Sequence, residues 1–269
     1  VGPVVTDRPA DSSRPADSSR PADAAPVALV TGASGVLGGP VAAELWRRGY
    51  RTAVQGRDRR RLGATLRQAA DPRQWALPLL ADLTDPAAAP TMAGALRERW
   101  ARLDLLVHCA AVFPARPLDQ GPQEEWSGHW DEVIAANLTA TARLIRATVP
   151  LLREAARPTV VLIGSEPVTR PAARPDREAY YASKGGTVGL ARGLQASLAD
   201  DGIHTLVVHP GWIVPDHAHQ DPRRQLAAGE LGRAVVDLAE VAARVGLHDT
   251  VVTPRPVRTN RPGQDEADR

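Results

Sequence analysis

Val27-Ala28-Leu29-Val30-Thr31-Gly32-Ala33-Ser34-Gly35-Val36-Leu37-Gly38 couples a short apolar run to a turn in which glycine returns at every third position. Glycine lets the backbone turn tightly and lets another group approach it closely. A helix opening just after such a turn points its free N–H groups and its positive dipole end outward, which suits a pyrophosphate. The turn carries this meaning only if it lies between the first strand and the first helix of an alternating chain.

The flanking sequence supplies that context. Short apolar runs recur at 51–55, 76–80, 103–108, 159–163, 205–208 and 250–253, giving seven expected strands with 27–31. Longer amphipathic stretches fall between them, at about 37–48, 58–69, 87–101, 130–155, 179–199 and 230–244. Strand and helix in this rhythm predict an α/β fold, one doubly wound parallel sheet with helices on both faces. Ligands of such sheets bind beyond the C-terminal ends of the strands.

This single domain is expected over 27–255. Before it, residues 8–25 repeat Arg-Pro-Ala-Asp three times with no apolar periodicity, so 1–26 reads as a disordered tail. Residues 256–269, rich in Pro, Arg, Asp and Glu, read as a flexible second tail.

Composition narrows the function. A net charge of +2 argues against a nucleic-acid backbone as partner. No apolar run is long enough to cross a bilayer and no secretory segment opens the chain, so neither membrane nor export is expected. Cys109, the lone cysteine, excludes an internal disulfide and a Cys-rich metal site and fits a cytoplasmic setting. His204, His209, His217 and His219 show no helical ligand spacing, so no metal is expected. Lys184 is the only lysine, every other basic residue being arginine, and asparagine occurs only at 137 and 260.

The later strand ends refine the ligand. The second strand closes on Gln55 and is followed by Gly56 and Arg57. An acid there would take a ribose 2′-hydroxyl, whereas arginine pairs with a 2′-phosphate, so NADP(H) is favoured and NAD(H) is the alternative. Arg59, Arg60 and Arg61 read mainly as a solvated helix start. After the third strand, Asp82 can bond an adenine amine or cap the next helix, and the backbone of Leu83 can reach the base.

Tyr180 and Lys184 stand four apart at the start of an expected helix and so share a face. An ammonium beside a phenol favours the phenolate, which would bring Tyr180 towards useful acid–base chemistry. Tyr180-Tyr181-Ala182-Ser183-Lys184, with Gly164-Ser165 at a strand end and Asn137 within a helix, resembles the short-chain dehydrogenase/reductase family. The resemblance spans about 27–255 and implies a Rossmann fold.

It implies that Tyr180 gives a proton to a substrate carbonyl and that Ser165 holds that oxygen. Lys184 would bind the nicotinamide ribose and tune Tyr180, and Asn137 would hold a relay water. By the same resemblance the cofactor is contacted by Gly32, Ser34, Gly35, Val36, Leu37 and Gly38. Ala110 and Ala111 follow the fourth strand, where the family usually has Asn-Asn-Ala-Gly; Cys109 there reads as packing. Pro210, Gly211, Trp212 and Ile213 follow the sixth strand and face the nicotinamide. Tyr181, three residues from Lys184, reads as pocket wall.

Four departures stand out. The glycine spacing resembles the extended branch of the family. Ser165 precedes Tyr180 by fifteen residues, with Pro167, Pro171 and Pro175 between them, so the loop must bulge. Pro215 stands where the family often has threonine. The stretch 212–229 is short for a lid, implying an open pocket that Trp212, Phe113 and Trp126 could line.

The expected activity is NADP(H)-dependent carbonyl reduction, or alcohol oxidation, on a small organic molecule. The alternatives are reduction of an imine or pterin C=N bond, epimerisation or dehydration without net redox, and a catalytically silent nucleotide-binding scaffold. The resemblance further implies a homodimer or homotetramer.

Overall fold

The computed structural model describes residues 25–169, 174–218, 221 and 225–253. The expected tails fall outside these residues apart from Ala25 and Pro26, which belong to the packed unit. Ala25 is buried, its carbonyl accepts from Arg51 Nη2 at 3.1 Å, and the carbonyl of Pro26 accepts from Arg51 N at 2.9 Å.

The chain alternates as expected: β1 (Val27–Thr31), α1 (Gly38–Arg47), β2 (Arg51–Gly56), α2 (Arg59–Leu66), α3 (Pro72–Trp75), β3 (Ala76–Leu80), α4 (Ala88–Trp100) and β4 (Leu105–His108). There follow α5 (Gln123–Ile134), a π-helical turn (Ala135–Thr139), α6 (Ala140–Leu152), β5 (Thr159–Ile163), α7 (Glu178–Ser197) and β6 (His204–Pro210). Two short strands, β7 (Trp212–Val214) and β8 (Gln225–Ala227), precede α8 (Ala228–Ala242) and β9 (Asp249–Val252).

Seven strands form one sheet in the order β3-β2-β1-β4-β5-β6-β9, every neighbouring pair parallel. The order reverses between β1 and β4, which opens a crevice at their C-terminal ends. Both faces of the sheet are covered, so β1 is buried throughout. Its side chains still divide by alternation. Val27 and Leu29 join the core under α4, α6 and α7, while Ala28 and Val30 join the core under α1 and α8.

Three features differ from the sequence expectation. The helix expected over 130–155 begins at Gln123 and is interrupted by the π-helical turn, where Ala140 N–H reaches back to the carbonyl of Ala135. β4 starts at Leu105 rather than Leu103, because the amides of Leu103 and Asp104 go instead to the carbonyls of Leu151 and Val27. The stretch after β6 forms a parallel pair, β7 with β8, set apart from the main sheet. Among the described residues, no helix is long and apolar enough to cross a membrane.

Candidate active site

A cleft of about 740 Å³ runs along the C-terminal ends of the strands. Its first wall is the β1–α1 turn. Gly32 has φ +63°, and a Cβ there would lie 2.8 Å from the backbone of Ala110 beyond β4. A Cβ on Gly38 would lie 2.3 Å from the carbonyl oxygen of Gly32. Glycine is therefore required at both places, by conformation at the first and by close approach at both. α1 opens with no side-chain cap and no acid in its first turn, which leaves its positive end open to the cleft. Gly32, Ser34, Gly35, Val36, Leu37 and Gly38 all line this wall.

The end of β2 shapes the next part. Gln55 is buried, accepting from Gly32 N–H at 3.0 Å through Oε1 and donating Nε2 to the carbonyl of Ala81 at 2.7 Å. It ties the glycine turn to the end of β3, and it contributes to the cleft lining with both its amide groups already engaged. Arg57 and Arg61 line the cleft, whereas Arg59 and Arg60 do not. Asp82 is a correction to the helix-cap expectation. Its Oδ1 accepts from the amide (3.0 Å) and hydroxyl (2.8 Å) of Thr84, closing a local turn well before α4. These bonds, with the more distant Arg57, hold its carboxyl below the usual range. Asp82 and Leu83 both face the cleft.

The far end gathers Ser165, Tyr180 and Lys184 around one space, joined by Ala110, Ala111 and the Pro210–Ile213 segment. Tyr180 and Lys184 come from the first turns of α7, and Ser165 from the end of β5. A 3₁₀ turn at Glu166–Val168 follows Ser165, which is buried and lines the cleft with Tyr180. Gly164 before it admits the ring of His209, which a Cβ would meet at 2.5 Å.

The electrostatics of the phenol differ from the sequence expectation. Burial pushes Tyr180 above its ordinary value, and the Ser165 hydroxyl and the charge of Arg177 only partly offset this. The ammonium of Lys184 lies 5.7 Å from the Tyr180 ring centroid and donates to the carbonyl of Ile163 at 2.7 Å. Burial draws Lys184 itself down to about 8. The thiol of Cys109 is pushed up to about 12 by burial, so it stays protonated and unreactive at neutral pH.

Asn137 is placed one layer back, buried inside the π-helical turn. Its Oδ1 accepts from Val112 N–H at 2.8 Å, and its Nδ2 donates to the carbonyl of Val112 at 3.0 Å and to Ser183 Oγ at 3.1 Å. Ser183 in turn donates to the carbonyl of Tyr180 at 2.6 Å. The amide of Asn137 is thus spent on holding the loop after β4 to the first turn of α7, leaving only its backbone carbonyl for a water.

That carbonyl ends a buried chain which sequence reading missed. Thr141 donates to it at 2.7 Å and lies 2.8 Å from His108 Nε2, whose Nδ1 lies 2.8 Å from Thr31 Oγ1. Because the Thr141 proton is committed, Nε2 must carry the hydrogen, and Thr31 must donate to Nδ1. Thr31 accepts from Ala110 N–H at 3.3 Å. His108 is therefore neutral, and burial holds it down to about 3.

Of the aromatic residues expected at the pocket, Phe113, Tyr181 and Trp212 line it. Trp126 does not; it stacks on Trp130 at 5.4 Å on α5. Part of the expected short lid lies outside the described residues. Arg174 at the cleft and Arg177 beside Tyr180 were not anticipated, because their positions depend on how the β5–α7 loop folds back.

Comparison with known proteins agrees with this architecture. The profile of the short chain dehydrogenase family matches residues 26–225. The 3-oxoacyl-acyl-carrier-protein reductase FabG of Escherichia coli is 31% identical over 217 residues, covering 77% of this chain and 84% of that protein. The D-threitol dehydrogenase of Mycolicibacterium smegmatis is 27% identical over 194 residues, 72% of each chain. A crystal structure described as a short-chain alcohol dehydrogenase from Sinorhizobium meliloti superposes with a TM-score of 0.73 at 24% identity, covering 84% of this chain and 94% of that one.

Proposed function

The chain belongs to the short-chain dehydrogenase/reductase family of oxidoreductases, and on that premise we propose that it interconverts a carbonyl and an alcohol on a small organic molecule with NADP(H). The observation that carries this reading is the meeting of Ser165, Tyr180 and Lys184 at the inner end of a cleft whose other end is a glycine-walled helix N-terminus. The names of the relatives, a 3-oxoacyl reductase and a D-threitol dehydrogenase, support the carbonyl–alcohol pair.

The residues suit a nicotinamide dinucleotide. Gly32 and Gly38 leave room that any Cβ would fill, and the uncapped start of α1 offers N–H groups to a pyrophosphate. Arg57 and Arg61 line the region beyond β2 where a 2′-phosphate would lie. Each of these arginines also stands near a carboxylate, Arg57 3.6 Å from Asp82 and Arg61 3.9 Å from Asp58, exposed pairs weak enough for a 2′-phosphate to compete with.

When bound, such a cofactor supplies or accepts the hydride. Ser165 and Tyr180, both lining the cleft, offer two hydroxyls to one substrate oxygen. The raised value of Tyr180 keeps its phenol protonated at neutral pH, the state that can give a proton to a developing alkoxide. Lys184, fixed on the carbonyl of Ile163, turns its remaining donors to the cleft to hold a ribose and stabilise the phenolate left behind. Asn137 and Ser183 position the first turn of α7 that carries Tyr180.

The test is consumption of NADPH, followed by its absorbance, with a panel of aldehydes and ketones. Tyr180→Phe should lower kcat/KM roughly 10²- to 10⁴-fold. Turnover undiminished in that variant would remove Tyr180 from the role.

A further inference from the structure

The substrate end of the cleft carries two guanidinium groups that the reductase reading does not use. Phe113, Tyr180 and Trp212 form a cluster of rings, with centroids 4.5 Å apart for Phe113 and Tyr180 and 6.3 Å apart for Phe113 and Trp212. The guanidinium carbon of Arg174 lies 3.9 Å over the Trp212 ring, and that of Arg177 lies 4.0 Å over Phe113. Each cation covers the outer face of a ring whose cluster leads to the phenol of Tyr180.

Neither arginine has an ion pair among the described residues. Arg116, whose N–H donates to the carbonyl of Asp176, is paired with Glu125, and Glu166, the acid at this end of the cleft, already has an interaction of its own. Nε and Nη1 of Arg177 are buried with no hydrogen-bond partner, an arrangement rare in folded proteins unless something outside the chain offsets the charge. Arg174 lines the cleft. Its backbone N–H donates to the Tyr181 hydroxyl at 3.0 Å, so the residue is held at both its main chain and its guanidinium. A guanidinium stacked on a ring has its face occupied and its in-plane N–H edge free, and that edge matches a carboxylate in bidentate fashion.

We propose that the carbonyl substrate of this site carries a carboxylate, received by the free edge of Arg174 while its apolar body lies against Phe113 and Trp212, with Arg177 adding positive charge behind them. This rests on the reductase reading of the same site and deepens it to a class of substrate: oxo acids with a flat or short apolar body. The affinity comes from a prepositioned cation whose side-chain freedom is already lost before the ligand arrives.

Two matched pairs test it, 4-carboxybenzaldehyde and levulinate, each against its methyl ester, with NADPH consumption as the readout. The wild-type protein should favour the acid over the ester at least tenfold in kcat/KM. Arg174→Gln should reduce that preference at least tenfold, chiefly through KM for the acid. Because the preference is a ratio measured on one preparation, partial unfolding of the variant cancels. Calorimetric titration of each acid into the protein without nucleotide gives a second readout, and binding should weaken at least fivefold in Arg174→Gln.

Reduction of esters and acids with equal efficiency, unaltered by Arg174→Gln, would overturn the carboxylate proposal and leave the reductase reading standing. Arg174-dependent binding of the acid with no NADPH consumption by any substrate would support the carboxylate site and sink the reductase reading. Neither binding nor turnover would overturn both.

Discussion

A proton on His108 has nowhere to go. Both ring nitrogens already face threonine hydroxyls whose own hydrogens are fixed, and the ring is buried in the middle of the sheet. The consequence is a pH dependence of stability with a definite sign. Above pH 6.5 the ring is neutral in folded and unfolded chains alike. Below it the unfolded chain takes up a proton that the folded one, held down to about 3, refuses, so stability falls as pH falls. The slope approaches about 1.4 kcal/mol per pH unit for one proton. Between pH 6.5 and 5 this effect precedes the carboxylates of Glu44, Asp82 and Asp201, whose depressed values make their contribution fade only at lower pH. Urea unfolding should show the wild type losing on the order of 1 kcal/mol from pH 7 to 5.5, with a visibly flatter profile for His108→Asn. Parallel profiles would show that the ring titrates freely in the folded protein.

At the scale of elements, the π-helical turn between α5 and α6 is a joint through which three parts of the site are fastened. Asn137, inside it, makes three side-chain hydrogen bonds, two to Val112 beyond β4 and one to Ser183 on α7. Asn137→Ala removes all three and leaves the part-buried peptide groups of Val112 without this partner, so a stability loss of about 1–2 kcal/mol is expected in urea unfolding. The seven strands were legible because each is a short buried run between turn signals, and the pairing of Tyr180 with Lys184 because both lie on one helix. The π-helical turn was not, since nothing in Ala135-Ala136-Asn137-Leu138-Thr139 marks a π turn apart from ordinary helix. Of the two roles open to Asp82 in the sequence, the helix cap falls away because Asp82-Leu83-Thr84 closes its own turn first. Arg174 and Arg177 stayed hidden for another reason. Their stacking partners, Trp212 and Phe113, come from other loops, and no local pattern announces a contact made only by the tertiary fold.

Across the whole molecule, the cleft crosses the point where the sheet reverses, with walls drawn from β1, β2, β4, β5, β6 and α7. A ligand filling it therefore joins parts that are otherwise linked only through the sheet, and occupancy should raise the melting temperature of the entire domain. With Arg57 and Arg61 at the phosphate end, NADPH should raise Tm more than NADH at equal concentration, and Arg57→Ala should shrink the difference by several-fold in affinity. Equal shifts for the two nucleotides in the wild type would count against the preference for the phosphorylated form.

Lys184 is the only lysine of the chain, buried at the inner end of the cleft and drawn by burial to about 8. Arginine does not acylate under mild conditions, so an amine-directed reagent finds a single side-chain target here, one already partly in its nucleophilic free-base form in weakly alkaline buffer. The chain thereby carries a built-in chemical reporter. The rate at which a tag is taken up at that one position tracks how much of the cleft stands open, with no engineered label required.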